Sequence, residues 1–144
     1  MRRVLVVGSR GALGTVTCDA FESKGWQVWG LDVVGETSVA SRYLAWSPDS
    51  HDEVVEVLQK TPGHESLDAI VHTAGGWKHT SIESNGFVSD CLALWNMNAQ
   101  SVLLATHLAY TLLKPRKGVL AITGAQAALE PPNSNLAYTV CPYS

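Results

Sequence analysis

The sequence predicts an α/β fold, a doubly wound parallel sheet with helices on both faces. Three observations predict it. Short apolar runs alternate with longer amphipathic ones along the whole chain, the first run passes at once into a glycine turn, and glycine or proline closes the amphipathic segments. Alternation of this kind calls for right-handed crossovers that lay helices on both faces of the sheet.

Taken in order, Val4 to Val7 (VLVV) is a buried-strand run. After the glycines, ALGTVTCDAFESKG can carry Leu13, Val16, Ala20 and Phe21 on one helical face, and Gly25 supplies a stop. WQVWGLDVV is the second strand and YLAW a short third one. SPDSHDEVVEVLQKTPG opens with helix-start chemistry and closes at Pro62 and Gly63. LDAIVHTAGG is a fourth strand running into a glycine turn. From about Gly86 to Lys114, Cys91, Trp95, Asn98, Val102, Ala105, Ala109 and Leu112 recur at spacings of four and three, which predicts one long helix ended by Pro115. GVLAIT is a fifth strand. Ligands of such sheets sit beyond the carboxyl ends of the strands, so chemistry is expected there.

At 144 residues the chain reads as a single domain spanning 1–144, with room for one core. Its net charge of −3 comes with scattered basic residues, which argues against a nucleic-acid partner. The apolar run near the N-terminus is too short for a signal peptide or a membrane span. Cys18, Cys91 and Cys141 are odd in number and far apart, as expected of reduced thiols in a cytoplasmic protein. The histidines at 51, 64, 72, 79 and 107 show no zinc-site spacing, and surface or core roles are expected for each.

The turn after the first strand is GSRGALG, with Gly8, Gly11 and Gly14. Glycines placed between a strand and a helix permit a tight turn, close approach of a pyrophosphate and close helix–strand packing, and the helix N-terminus favours the anion. This is the Rossmann-type arrangement. A plain strand-to-helix turn would account for one or two of the glycines. The second strand ends at Asp32, eighteen residues beyond Gly14. An acid there can bond the adenosine ribose hydroxyls and disfavours a 2′-phosphate, so NADH is expected over NADPH; a solvated loop acid is the alternative. Arg10 pulls the other way, as a cation beside the turn. Asp49 is either a partner for the adenine ring or a helix N-cap.

Taken together, GSRGALG, Asp32, AGGW and Tyr138 resemble the short-chain dehydrogenase/reductases, and more narrowly the quinonoid dihydropteridine reductases. The narrower group shares RGALG in the turn, DVV at Asp32 to Val34, AGGW at Ala74 to Trp77, a GAxAAL stretch at Gly124 to Leu129, and a tyrosine nine residues on, Tyr138. The commoner branch has a catalytic serine thirteen residues before that tyrosine. Here the position is Ala125, with Thr123 the nearest hydroxyl, and the dihydropteridine branch likewise lacks the serine. The resemblance implies an NADH-dependent reduction of a quinonoid dihydropteridine to the tetrahydropteridine. Gly8, Ser9, Arg10, Gly11, Leu13 and Gly14 would hold the pyrophosphate, Asp32 the ribose and Asp49 the adenine. Ala74, Gly75 and Gly76 would line the cofactor with bare backbone. Trp77 would stack on the pterin, unless it only packs its loop, and Tyr138 would be the acid. Asn98 matches the helix asparagine of the wider superfamily, although a core amide bonded to backbone is the expected role.

Family members carry a lysine four residues after the tyrosine, and here that position is Pro142. The expectation is therefore a sheet of five strands taken from a longer one, broken off after the catalytic-tyrosine position. Impaired turnover is expected of this short chain. The homodimer implied by the family is in doubt, and a non-catalytic NAD(H)-binding module or a reductase of another substrate is the alternative.

Overall fold

The computed structural model describes residues 1–34, 42–60, 67–113 and 117–125. Five strands form one sheet: β1 (Arg3–Val7), β2 (Gln27–Asp32), β3 (Tyr43–Ala45), β4 (Ala69–His72) and β5 (Val119–Ile122). Their order is β3-β2-β1-β4-β5, and every neighbouring pair is parallel. The chain steps outward from β1 through β2 to β3, then returns to the other side of β1 with β4. Strand order therefore reverses at β1, and a crevice is expected where the carboxyl ends of β1, β2 and β4 diverge. Val7 is in register with Leu31 on one side and His72 on the other, which aligns Gly8, Asp32 and Thr73 along one edge.

Alternation along β1 divides the core in two. Val4 and Val6 pack with Val28, Ala69 and Cys18 of helix α1 (Ala12–Ser23). Leu5 and Val7 pack with Leu31, Ile70, Val54 and Leu58 of α2 (His51–Lys60), and Leu108 and Leu112 of α4 (Ser101–Leu113). All four of these β1 side chains are fully buried, each worth roughly 1.5–3 kcal/mol of transfer free energy. The doubly wound architecture is thus present as expected.

Two expectations about helix faces are corrected. On α1, Leu13, Val16 and Ala20 point to solvent, while Gly14 and Cys18 are buried and Phe21 is half-buried. Gly14 decides this: a Cβ there would collide with the Gly8 carbonyl oxygen, so the helix meets the turn through its glycine and turns its leucine and valine outward. The expected long helix is also not uniform. It begins as α3 (Phe87–Leu94), passes through a π-helical segment at Trp95–Gln100, and continues as α4. A π segment adds residues to the turn and rotates the face that follows. The buried positions are accordingly Leu94, Asn98, Ser101, Ala105, Leu108, Leu112 and Leu113, while Trp95 is exposed and Cys91, Val102 and Ala109 are only half-buried.

Candidate functional site

The turn after β1 is built around one forced glycine. Gly8 has φ +82°, and a Cβ on it would lie 2.5 Å from the amide nitrogen of Ala74. The ends of β1 and β4 therefore touch backbone to backbone. The Gly8 and Ser9 amides both donate to the Leu31 carbonyl, at 2.8 and 3.2 Å, which ties the turn to β2. Helix α1 then starts from Gly11, whose lack of a side chain leaves the helix without a side-chain N-cap. Its first N–H groups keep their positive end for an anion.

Asp32 closes the same edge. Its two carboxylate oxygens accept the backbone N–H groups of Arg10 and Val33, each at 2.8 Å. Each oxygen retains a second lone pair, so the carboxylate is oriented and still able to accept from a hydroxyl. The Arg10 guanidinium lies over the Tyr43 ring, 5.7 Å from its centroid.

A cavity of about 100 Å³ opens between these strand ends, walled by Gly8, Asp32, Val33 and Trp46 on one side and by Ala74, Met97 and Ser101 on the other. Local sequence patterns do not single out Trp46 and Met97. The run YLAW gives a strand end at Trp46, and its position beside Asp32 follows from β2–β3 pairing, where its amide donates to the Asp32 carbonyl at 2.7 Å. Asp49 is exposed in the turn before α2 and does not line this cavity. The N-cap alternative does not describe it either, because Ser47 and Ser50 bond each other's amides there through their hydroxyls, at 2.9 and 3.3 Å.

The loop after β4 is held from the π segment. Buried Asn98 accepts the Gly76 N–H through Oδ1 at 2.8 Å and donates through Nδ2 to the Gly76 carbonyl at 3.0 Å. The expected core amide bonded to backbone is what the geometry shows. A Cβ on Gly76 would run into the Met97 sulfur, so a side chain there would push the flexible methionine aside. Trp77 follows at 63% exposure, tilted against His79. Of this loop Ala74 lines the cavity, Gly75, Gly76 and Trp77 follow it beyond the end of β4, and Tyr138 falls outside the described residues.

Two histidine arrangements accompany the site. The Trp46 indole N–H donates to His51 Nδ1 at 3.3 Å, which leaves the proton of neutral His51 on Nε2, where it meets His107 Nδ1 at 2.8 Å. Burial, and then His107, push the His51 pKa down. On β4, Ser101 donates to the Met97 carbonyl at 2.7 Å and so accepts from His72 Nε2 at 2.9 Å. His72 Nδ1 is buried with no partner, and burial depresses this pKa as well. Among the described residues no cluster of three or more metal-ligating side chains occurs, and no helix is long and apolar enough to cross a membrane. Cys18 and Cys91 are free thiols.

The geometry defines a small cavity at the reversal point of a doubly wound sheet, and known proteins share the fold. A short-chain dehydrogenase/reductase from Vibrio parahaemolyticus superposes with a TM-score of 0.79 at 16% identity, covering 97% of this chain and 71% of that one. The NADH-dependent reductase A1-R′, complexed with NAD, gives 0.77 at 19% identity over 98% of this chain and 66% of its own. In sequence, the chain is similar to a dihydropteridine reductase from Dictyostelium discoideum, 29% identical over 138 residues. That match takes in 95% of this chain and 59% of the relative, so the chain spans well under two thirds of the curated relative's length. No family model matches the chain. The resemblance read from the glycine turn and AGGW is thus shared by a curated relative, and the fold is that of the short-chain dehydrogenase/reductases.

Proposed function

We propose that this chain derives from an NADH-dependent reductase of quinonoid dihydropteridines and retains its nucleotide crevice. The observation that carries the reading is the contact of Gly8 with Ala74 beside the oriented Asp32 carboxylate, in a chain similar to a dihydropteridine reductase. A dinucleotide fits these residues. Gly8, Ser9, Arg10, Gly11, Leu13 and Gly14 surround the uncapped start of α1, where backbone N–H groups suit a pyrophosphate. Asp32 holds free lone pairs for ribose hydroxyls, while Trp46 and Val33 offer apolar walls for the adenine. Ala74, Gly75 and Gly76 leave bare backbone along the cofactor.

Bound NADH supplies a hydride. The chain's own part is to orient and to protonate. Asn98 fixes Gly76 and so the start of the substrate loop, Trp77 offers a flat indole to the pterin, and Tyr138 donates the proton. A phenol near its ordinary pKa of about 10 is a weak acid at neutral pH without a nearby cation. With Pro142 in the lysine's position, slow turnover follows.

The test is NADH binding and quinonoid dihydropterin turnover by the purified chain. Tight NADH binding with turnover below roughly 1 per second is expected, and a rate in the ordinary enzyme range would overturn the impairment. Pro142 also favours a second reading, a nucleotide-binding module without catalysis, whose signature is NADH binding with no turnover at all. Preference for simple carbonyls would remove the pterin. Asp32→Ala should weaken NADH binding and narrow the gap to NADPH, and an unchanged preference would take Asp32 out of the site.

A further inference from the structure

Trp46 divides two spaces. With Val33 and Ser47 it lines both the cavity of about 100 Å³ beside Asp32 and a second of about 210 Å³ over Val54 and Val57 of α2. Its backbone is pinned, because its amide donates to the Asp32 carbonyl at 2.7 Å. Its ring carries a single N–H, and that N–H donates to His51 Nδ1 at 3.3 Å. His51 opens α2 and is buried, whereas His107 of α4 is exposed. The 2.8 Å bond between His51 Nε2 and His107 Nδ1 therefore leads from the cavity wall to solvent.

The three rings form one chain of hydrogen bonds whose direction is set at the indole. An indole N–H can only donate, so His51 Nδ1 accepts, His51 Nε2 carries the proton, and His107 Nδ1 accepts in turn. One proton added to the histidine pair removes this order, whichever ring holds it. On His51 the proton takes Nδ1 directly. On His107 it takes Nδ1, which then donates to His51 Nε2 and leaves neutral His51 its own proton on Nδ1. In both states two N–H groups meet at Trp46 and the indole has lost its acceptor, while the second cavity gives the ring room to turn. Burial, and then His107 across from it, disfavour a proton on His51, and Asp52 beside it on α2 favours one. Trp46 brings no charge from the end of β3.

We propose that His51 is a positioning residue for the nucleotide cavity: with His107 it holds the Trp46 ring as a wall against bound NADH while the pair is neutral, and releases it when the pair takes up a proton. The proposal rests on the reading of this crevice as a nucleotide site. Cofactor affinity is then coupled to pH through two residues that need not touch the cofactor.

The test measures NADH affinity of the full 144-residue chain from pH 7.5 to 5.5, beside the proton–nitrogen resonance of the Trp46 indole in the chain without ligand. Affinity should fall by about three- to tenfold toward the acid end, within the limit of about tenfold per pH unit for one linked proton. The indole resonance should lose its hydrogen-bonded shift over the same range. His51→Asn, which sets an amide near the place of Nδ1 and takes up no proton, should flatten both profiles. Trp46→Phe, a ring without the N–H, should flatten the affinity profile whatever its affinity at pH 7.5, and its missing signal assigns the resonance. An affinity independent of pH, the result if protonated His107 swings into solvent, would overturn the positioning role and leave the nucleotide reading intact. A pH dependence that survives in both variants, or an indole resonance that does not move, would do the same. A parent chain that binds no NADH at any pH would overturn the nucleotide reading and the proposal with it.

Discussion

β1 and β5 are spelled almost alike, VLVV against VLAI, and come to opposite circumstances. β1 is paired on both sides and covered on both faces, so Val4 to Val7 are wholly buried. β5 is paired with β4 alone among the described residues, and Val119 and Ile122 are 62% and 44% exposed. Of its four residues, only Leu120 packs against the main core. An apolar run therefore states that a segment can be buried in a sheet, while its place in the strand order decides whether it is.

Substitution should separate the two strands sharply. Leu5→Ala is expected to cost about 2–5 kcal/mol, because Leu5 is enclosed by α2, α4 and the neighbouring strands. Val119→Ala should fall within roughly 0.5 kcal/mol, as for other exposed positions. Urea denaturation of the two variants measures both, and equal midpoints would break the comparison.

The glycines that follow the two strands sharpen it. Gly8→Ala must adopt φ +82° and place its Cβ 2.5 Å from the Ala74 nitrogen. A loss of about 2–4 kcal/mol is expected from strain and overlap together, with NADH binding abolished in the folded fraction. Gly124, just beyond β5, is different: a methyl group added there would meet none of the described residues within 4 Å, and Gly124→Ala should leave stability and binding unchanged. Thermal melts with and without NADH distinguish the pair.

Between them lies β4, whose following loop depends on a side chain from elsewhere. Asn98→Ala strands both polar groups of the Gly76 peptide, which should cost about 1–3 kcal/mol and loosen Trp77. Hydrogen exchange at the Gly76 amide is the direct readout. Protection equal to the parent's would show that water or a shifted neighbour replaces the asparagine.

The strands, the parallel doubly wound sheet and Asp32 at the end of β2 were legible because each follows from a local pattern: an apolar run, its alternation with amphipathic segments, an acid at fixed distance from a glycine turn. The faces of the helices were not. Leu13 and Val16 make a plausible apolar stripe, yet the contact between Gly14 and the Gly8 carbonyl turns that stripe to solvent. Regular 3.6-residue spacing predicts Trp95 on the buried face, and the π segment rotates it off. Trp46 became a cavity wall only through β2–β3 pairing, a contact between elements that no local window contains. The role given to Tyr138 rests on resemblance, since that residue lies outside the described part of the chain.

A further effect, read through pH, concerns His72, which sits in register with Val7 of β1 on one side and Ile122 of β5 on the other. Its neutral form is fixed by donation from Nε2 to Ser101, and protonation would put a charge and a second N–H into a buried site where Nδ1 has no hydrogen-bond partner. The folded pKa is therefore lowered by burial, as is that of His51, also chiefly by burial. With the folded values below the unfolded value of about 6.5, the unfolded chain binds more protons in mildly acid solution. Stability from these histidines is fully present above about pH 6.5 and declines as the pH falls through the folded values. At pH 5.5 the loss is at most about 1.4 kcal/mol for each histidine. Urea midpoints at pH 7.5 and 5.5 should differ in that sense, and His51→Gln should remove part of the difference. A midpoint that rises on acidification would mean that His72 gains a partner for Nδ1 when protonated, and that the β4 end is more open to water than its burial between β1 and β5 implies.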